Sequence, residues 1–291
     1  MLICNNQLND SQLQAVETLT AQCQLADNGQ PMLYPHLLIQ KRLTENNVLY
    51  FQNDQLVGFL SVYFFYEKAC ELSLMIAPAH RKQGVAKQLL RSLIPLLLAK
   101  QIDTLIFSSA PKANEAWLPK LGFHYHNSEY HMQRHSYEPI LLARQALTIR
   151  KAGLADIPAL CAIDAASFNE EHGDMFLRIS NLLSDNNYTV LIAVYHGIAV
   201  GKAHIRWQPK GAILSDIAIL PDYQSQGLGG ELLTYCINQA LTLGKTELAL
   251  DVETSNHNAL NLYIRHGFKT AKVTDYWAIT IDKLRALSES C

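Results

Sequence analysis

Ile217-Ala-Ile-Leu-Pro-Asp-Tyr-Gln-Ser-Gln-Gly-Leu-Gly229 runs from a β-branched, apolar segment through a proline into a glycine-rich turn. Past Gly227, apolar residues at Leu228, Leu232, Leu233, Cys236, Ile237, Ala240 and Leu241 recur at helical spacing. The turn therefore joins a strand to a helix N-terminus. Such a turn exposes consecutive backbone N–H groups, and the helix dipole adds positive potential, so the place suits a pyrophosphate. Glycine at 227, 229 and 230 keeps Cβ atoms out of the anion's way. A glycine turn alone is a weak signal, because turns also need glycine for geometry. Neither Rossmann spacing nor a Walker Lys-Ser/Thr follows, which disfavours dinucleotides and nucleoside triphosphates.

The same phrase occurs earlier: Arg81-Lys-Gln-Gly84-Val-Ala86 returns as Gln224-Ser-Gln-Gly227-Leu-Gly229. Gly58 and Gly201, Pro78 and Pro221, and Gly84 and Gly227 share one offset of 143 residues, and the Gly-Phe pairs at 122 and 267 are offset by 145. The chain is an internal duplication. With 291 residues, each copy is long enough to bury its own core. We expect domains at 1–138 and 147–291, joined by a linker at 139–146. In the second copy a short strand-like run, Leu147 to Arg150, precedes a helix opening at Asp156, a cap candidate before Pro158. Tyr188 to Tyr195 and Ile198 to Trp207 read as strands joined by a tight His196-Gly197 hairpin. Ala212 to Leu220 and Thr246 to Val252 are further strands, Ala259 to Arg265 a short helix, and Trp277 to Ile281 a closing strand. The first copy repeats this order, with strands at Val48 to Phe51, Gln55 to Phe65, Leu72 to Ile76 and Thr104 to Phe107. Its helix from Val85 contains Pro95, which should kink or end it.

Hydrophobic residues make up 49% of the chain and charged residues 17%, with a formal charge of −2. That balance describes a globular protein and argues against a nucleic-acid partner. The six cysteines are scattered without a CxxC pair and read as reduced thiols. The longest apolar run, Leu89 to Ala99, is interrupted by Arg91, Ser92 and Pro95, so no membrane span is expected. A cytoplasmic protein is the default. His124, His126, His131 and His135 raise the question of metal, but no carboxylate or cysteine spacing supports a closed site. We expect no metal and read them as hairpin surface and packing residues.

The phosphate turn is followed by Asn256-His-Asn-Ala259-Leu-Asn-Leu262-Tyr263 and Gly267-Phe268. Together these motifs resemble the GCN5-related N-acetyltransferase family, and the wording is closest to the ribosomal-protein alanine N-acetyltransferases. The resemblance implies an α/β chain of two tandem GNAT-like domains, each a mixed, mostly antiparallel sheet flanked by helices. It implies acetyl transfer from acetyl-CoA to a primary amine, either a small molecule or a protein N-terminus. Ile217, Ala218 and Ile219 would pair with the pantetheine arm. Gln224, Ser225, Gln226, Gly227, Leu228, Gly229 and Gly230 would hold the pyrophosphate, and Asn256 would contact the cofactor. Tyr263 would protonate the departing thiolate, a match of a phenol near pKa 10 with a thiol near 8.5. Asp251 stands where the alanine acetyltransferases carry a glutamate and is the first choice for the base; Asp216 and Glu253 are its rivals. Asp216 is also placed to bind the substrate ammonium.

The first copy keeps Arg81, Gly84 and Ala86, a possible second CoA site. It has Leu118 in place of Tyr263, Pro111 in place of Asn256 and Ser73 in place of Asp216. Catalysis is therefore expected in the second copy alone. The alternative is a non-catalytic acyl-CoA sensor acting through a partner. Acceptor specificity would lie in variable loops such as Phe168 to Phe176 and Trp207 to Gly211.

Overall fold

A computed structural model of the chain describes residues 1–27, 33–112, 115–116, 118–142, 145–168 and 175–289. The first repeat runs β1 (Leu2–Asn5), α1 (Asp10–Asp27), α2 (Pro35–Leu38), β2 (Asn47–Gln52), β3 (Gln55–Tyr63), β4 (Ala69–Ile76), α3 (Val85–Ala99), β5 (Thr104–Ser109) and β6 (His124–His135). The second runs β7 (Thr148–Lys151), α4 (Ile157–Ser167), α5 (Met175–Ser184), β8 (Tyr188–Tyr195), β9 (Ile198–Trp207), β10 (Gly211–Ile219), α6 (Leu228–Thr242), β11 (Glu247–Glu253), α7 (His257–Arg265), β12 (Lys269–Thr280) and α8 (Ile281–Glu289). The α/β class and the tandem architecture expected from the motifs are present.

Several local expectations change. Pro95 does not end α3, which continues to Ala99. The four histidines lie along the single strand β6, with no hairpin between them. Asp156 does not cap α4 with its side chain. It accepts the Gly153 N–H at 2.8 Å and pairs with Arg150 at 2.7 Å, which holds its carboxyl at about 2.

The chain forms two compact units whose limits are not those of the repeats: Met1–Ser128 with Val273–Cys291, and Glu129–Lys272. In the first unit β1 to β4 are antiparallel in sequence order, β5 joins β4 in parallel, and β12 lies antiparallel to β5, with Tyr276 opposite Ser108. In the second, β7 to β10 are antiparallel, β11 joins β10 in parallel, and β6 lies antiparallel to β11, with His131 opposite Asp251. Each repeat therefore lends its last strand to the other repeat's unit.

Core packing fixes this exchange. Ile279 and Ile281, from the second repeat, are buried with Leu89, Leu93, Leu97 and Leu105 of the first. Met132, from the first repeat, is fully buried among Leu232, Ile237, Leu248 and Leu250 of the second. Each such side chain contributes roughly 1.5–3 kcal/mol on burial. In the second unit α6 covers one face of the sheet, while α4 and α5 cover the other through Ile157, Leu160 and Ile179, which cluster with Val190 and Ile192 of β8.

Candidate active site

The second unit is built around a parting of strands. β10 pairs with β11 only at Gly211 to Ile213, although it stays bonded to β9 as far as Ile219. The edge of β10 from Leu214 onward is thus turned toward a gap and offers backbone groups to an extended ligand. Its register with β9 slips between Ser215 and Ala218, so Asp216 and Ile217 form a bulge, and Asp216 sits at φ 49°. A bulge re-aims a side chain, and left-handed backbone in a non-glycine residue is a strain found at functional sites. Ala218 and Ile219 are buried beside it.

At the end of β10 the chain turns into α6. Ser225 and Gly227 both have positive φ, 61° and 83°, and a Cβ on Gly227 would meet no atom within 4 Å. Such a left-handed residue at the helix N-cap turns successive N–H groups outward into open space, as a phosphate cradle requires. Ser225 and Gln226 are exposed on the loop, whereas Leu228 is buried in the core beneath it. Gln224 Nε2 donates to the Ile219 carbonyl at 2.8 Å and ties the loop to the strand. Gly229 and Gly230 lie in the first turn of α6. The residues present fit the diphosphate of a CoA thioester.

Tyr263 is on α7, buried against Phe268 with an edge-on ring contact at 6.1 Å. Burial, with a lesser effect of Cys236, pushes its phenol up to about 12. Asn256 caps the same helix, its Oδ1 accepting the Ala259 N–H at 3.1 Å, so this asparagine has a structural duty of its own. Leu248, Leu250 and Val252 on β11 are buried toward α6, which leaves Asp251 on the α4/α5 side, where Asp216 also stands. Asp251 Oδ1 bonds His131 Nδ1 at 2.8 Å and is half-exposed. Glu253 is exposed and accepts from the Ser255 hydroxyl.

Asp216 is not an open anion. His204 Nδ1 lies 3.1 Å from one carboxylate oxygen; Arg178 and Lys202 lie 3.6 and 3.9 Å from the other. Lys202 is fully buried, pairs with Asp164 of α4, and lies 5.5 Å from the Phe168 ring centre. Burial pushes the Asp216 carboxyl up, but the hydrogen bond with His204 and the charges of His204, Lys202 and Arg178 outweigh it and hold the group far below the usual carboxylate range. Such a carboxylate takes up a proton poorly. Lys202, His204, Asp164 and Arg178 were not among the sequence candidates. Polar residues at alternate positions of an apolar strand were the available signal for the first two.

The first unit repeats the scaffold without the acid. β4 pairs with β5 from Ala69 to Leu72 and then parts from it. Lys82 and Gly84 have φ of 59° and 80° ahead of α3, which contains Ala86, and Arg81 Nε donates to the Ile76 carbonyl. Arg81 is also paired with Asp27 at 2.6 Å. Strands β3 and β4 keep one register throughout, so Ser73 has no bulge. Phe123 N–H bonds the Leu118 carbonyl at 3.1 Å, as Phe268 N–H bonds that of Tyr263. Leu118 therefore occupies the place of Tyr263 and is buried. Pro111 is exposed in the loop after β5.

No cluster of potential metal ligands occurs among the described residues, and none of their helices is long and apolar enough to cross a membrane. Of the stretch Phe168 to Phe176, expected to shape acceptor specificity, residues 169–174 lie outside them.

The acetyltransferase (GNAT) family matches the chain twice, at residues 13–123 and 157–268, and the chain belongs to that family. Over 71 residues it is 41% identical to the [ribosomal protein bS18]-alanine N-acetyltransferase of Escherichia coli K12, covering 24% of this chain and 48% of that protein. The chain thus spans about half the length of that relative. It is 28% identical to the L-amino acid N-acyltransferase MnaT of Escherichia coli K12, over 42% of this chain and 79% of the relative. Among solved structures, a tandem GNAT protein from the clavulanic acid biosynthesis pathway superposes with a TM-score of 0.67 at 14% identity, covering 97% of this chain and 99% of that one.

Proposed function

We propose that the chain is an N-acetyltransferase that moves an acetyl group from acetyl-CoA to a primary amine by direct attack, with the chemistry in the second unit. The observation behind this is that the second unit combines parted strands β10 and β11, a left-handed loop opening α6, and a buried Tyr263. The first unit has Leu118 in place of the tyrosine. Ile217 to Ile219 would pair with the pantetheine arm and the 224–230 turn would hold the diphosphate, with Asn256 nearby. The base side of the reaction is centred on Asp251, since Asp216 is already held by His204, Lys202 and Arg178, and Asp251 bonds a histidine whereas Glu253 accepts from the Ser255 hydroxyl. Tyr263, pushed up to about 12, keeps its proton at neutral pH. A donor this weak stabilises charge growing on the departing sulfur mainly through its hydrogen bond, before the proton moves. Arg81, Gly84 and Ala86 make the first unit a second CoA-binding place without an acid.

The acceptor is a peptide N-terminus or a small amine, as the names of the two relatives suggest. We place the reaction in the cytoplasm. The test is mass-spectrometric detection of acetyl transfer to pooled N-terminal peptides, amino acids and polyamines, with wild type and Tyr263→Phe side by side. We expect the variant to lose about 10²–10⁴ in kcat and to retain acetyl-CoA binding. Binding without transfer to any acceptor would favour the acyl-CoA sensor instead.

A further inference from the structure

The exchange of last strands puts a residue of the first repeat beside the base candidate of the second. His131, on β6, stands in register with Asp251. The corresponding rung of the first unit pairs Tyr276 with Ser108, two residues with no acid–base role near neutral pH. The sequences of the two units thus diverge at this rung as they do at Tyr263 and Leu118.

The bond to Asp251 sets the tautomer of His131, because a carboxylate oxygen only accepts and Nδ1 must carry the hydrogen; the chain on the other side of the ring agrees with it. On the same face of β6, His135 Nε2 donates to Gln133 Oε1 at 3.3 Å, which leaves the Gln133 amide nitrogen to donate to His131 Nε2, also at 3.3 Å. Nε2 is therefore the lone-pair nitrogen, and Nδ1–H donates to Asp251 Oδ1 at 2.8 Å. This is the arrangement of a general base oriented by a carboxylate. The titratable groups that bear on the ring are Asp251 from β11 and Lys272 from β12. The hydrogen bond with Asp251 raises the imidazole above its ordinary value, while burial and Lys272 act in the opposite sense. The His131 side chain is 30% exposed, so an acceptor can reach it. A second carboxylate-bound histidine, His204, is 2% exposed and out of reach.

We propose that His131 of the first repeat is the general base of the second unit, with Asp251 orienting its ring. The acceptor ammonium displaces the Gln133 amide from His131 Nε2 and gives that nitrogen a proton. The freed amine attacks the thioester carbonyl, the tetrahedral intermediate collapses with loss of the C–S bond, and Tyr263 protonates the departing thiolate. The second proton of the attacking nitrogen leaves as the amide forms and restores the Tyr263 phenol. The inference rests on the acetyltransferase reading and refines its base.

Histidine NMR on the full chain, comparing wild type with Asp251→Asn, reads the pair without needing turnover. We expect His131 to titrate above the ordinary histidine value and to fall back toward that value in the variant. The kcat/KM profile of wild type should rise with pH through that raised value. His131→Ala should lose roughly 10²-fold together with that limb, and added imidazole should restore part of the rate. A His131 titration indifferent to Asp251→Asn, or a His131→Ala enzyme that keeps the limb, would overturn the proposal. An intact His131–Asp251 titration in a wild type that transfers no acetyl group would instead sink the acetyltransferase reading, and the catalytic role of His131 with it.

Discussion

Asp216 shows how a residue can sit at the centre of a site without being its base. The hydrogen bond with His204 and the charges around it stabilise the ionised form, so its folded pKa lies below that of the unfolded chain, about 3.9. The stabilisation is fully present above that unfolded value and is lost as pH falls toward the folded one. Asp216→Asn should cost about 3 kcal/mol at pH 7, because it leaves the buried Lys202 and its partners short of a counter-charge. Urea denaturation at pH 7 and at pH 3 should show the gap between wild type and variant narrowing at the lower pH; a gap of constant size would refute the linkage. Tyr263, Asp251 and the glycine turn could be singled out as candidates in the sequence because their spacing along the chain is itself the signal. The Lys202–Asp164–Asp216–His204 cluster was not, because Asp164 meets Lys202 only after α4 packs on β9.

At the scale of elements, the parted strands depend on a tight parallel seam below them. Gly211 lies opposite Glu247, and a Cβ on it would stand 1.9 Å from the Glu247 carbonyl oxygen, backbone that cannot swing aside. Gly211→Ala should therefore open the first rung and lower stability by about 3 kcal/mol. Gly230→Ala, whose nearest contact would be 3.6 Å, should leave stability nearly unchanged. Thermal unfolding of the two variants checks the contrast, and equal midpoints would show that the seam tolerates a gap. The apolar runs foretold β8, β9, β10 and the course of α6, since alternation and helical spacing are local properties. The bulge at Asp216 was not foretold, because the sequence of β10 is compatible with unbroken pairing; the extra residue shows only in the register with β9. Asp156 does not stand at the cap of α4 because its own backbone is already helical, and its carboxylate instead accepts the Gly153 N–H of the preceding turn and pairs with Arg150.

At the scale of the molecule, the duplication read from the glycines is present, but a repeat offset carries no information about which sheet a terminal strand joins. Residues 129–135 complete the second unit and 273–280 the first, so neither repeat holds all the strands of its unit. A fragment 147–291 would bare the whole edge of β11 and lose Met132 from its core. A bare edge invites aggregation, and removing one buried methionine typically costs about 2–5 kcal/mol. That is a large part of the 5–15 kcal/mol on which domains of this size rest. A fragment 1–138 would likewise lose Ile279 and Ile281 from beneath α3. We therefore expect each fragment expressed alone to be insoluble or to unfold without cooperativity. Co-expressed, the two should assemble into a soluble pair with one cooperative transition and should regain acetyl-CoA binding, because both borrowed strands are again present. A fragment 147–291 that is monomeric, cooperatively folded and as active as the whole chain would show that the second repeat completes its own sheet and needs nothing from the first.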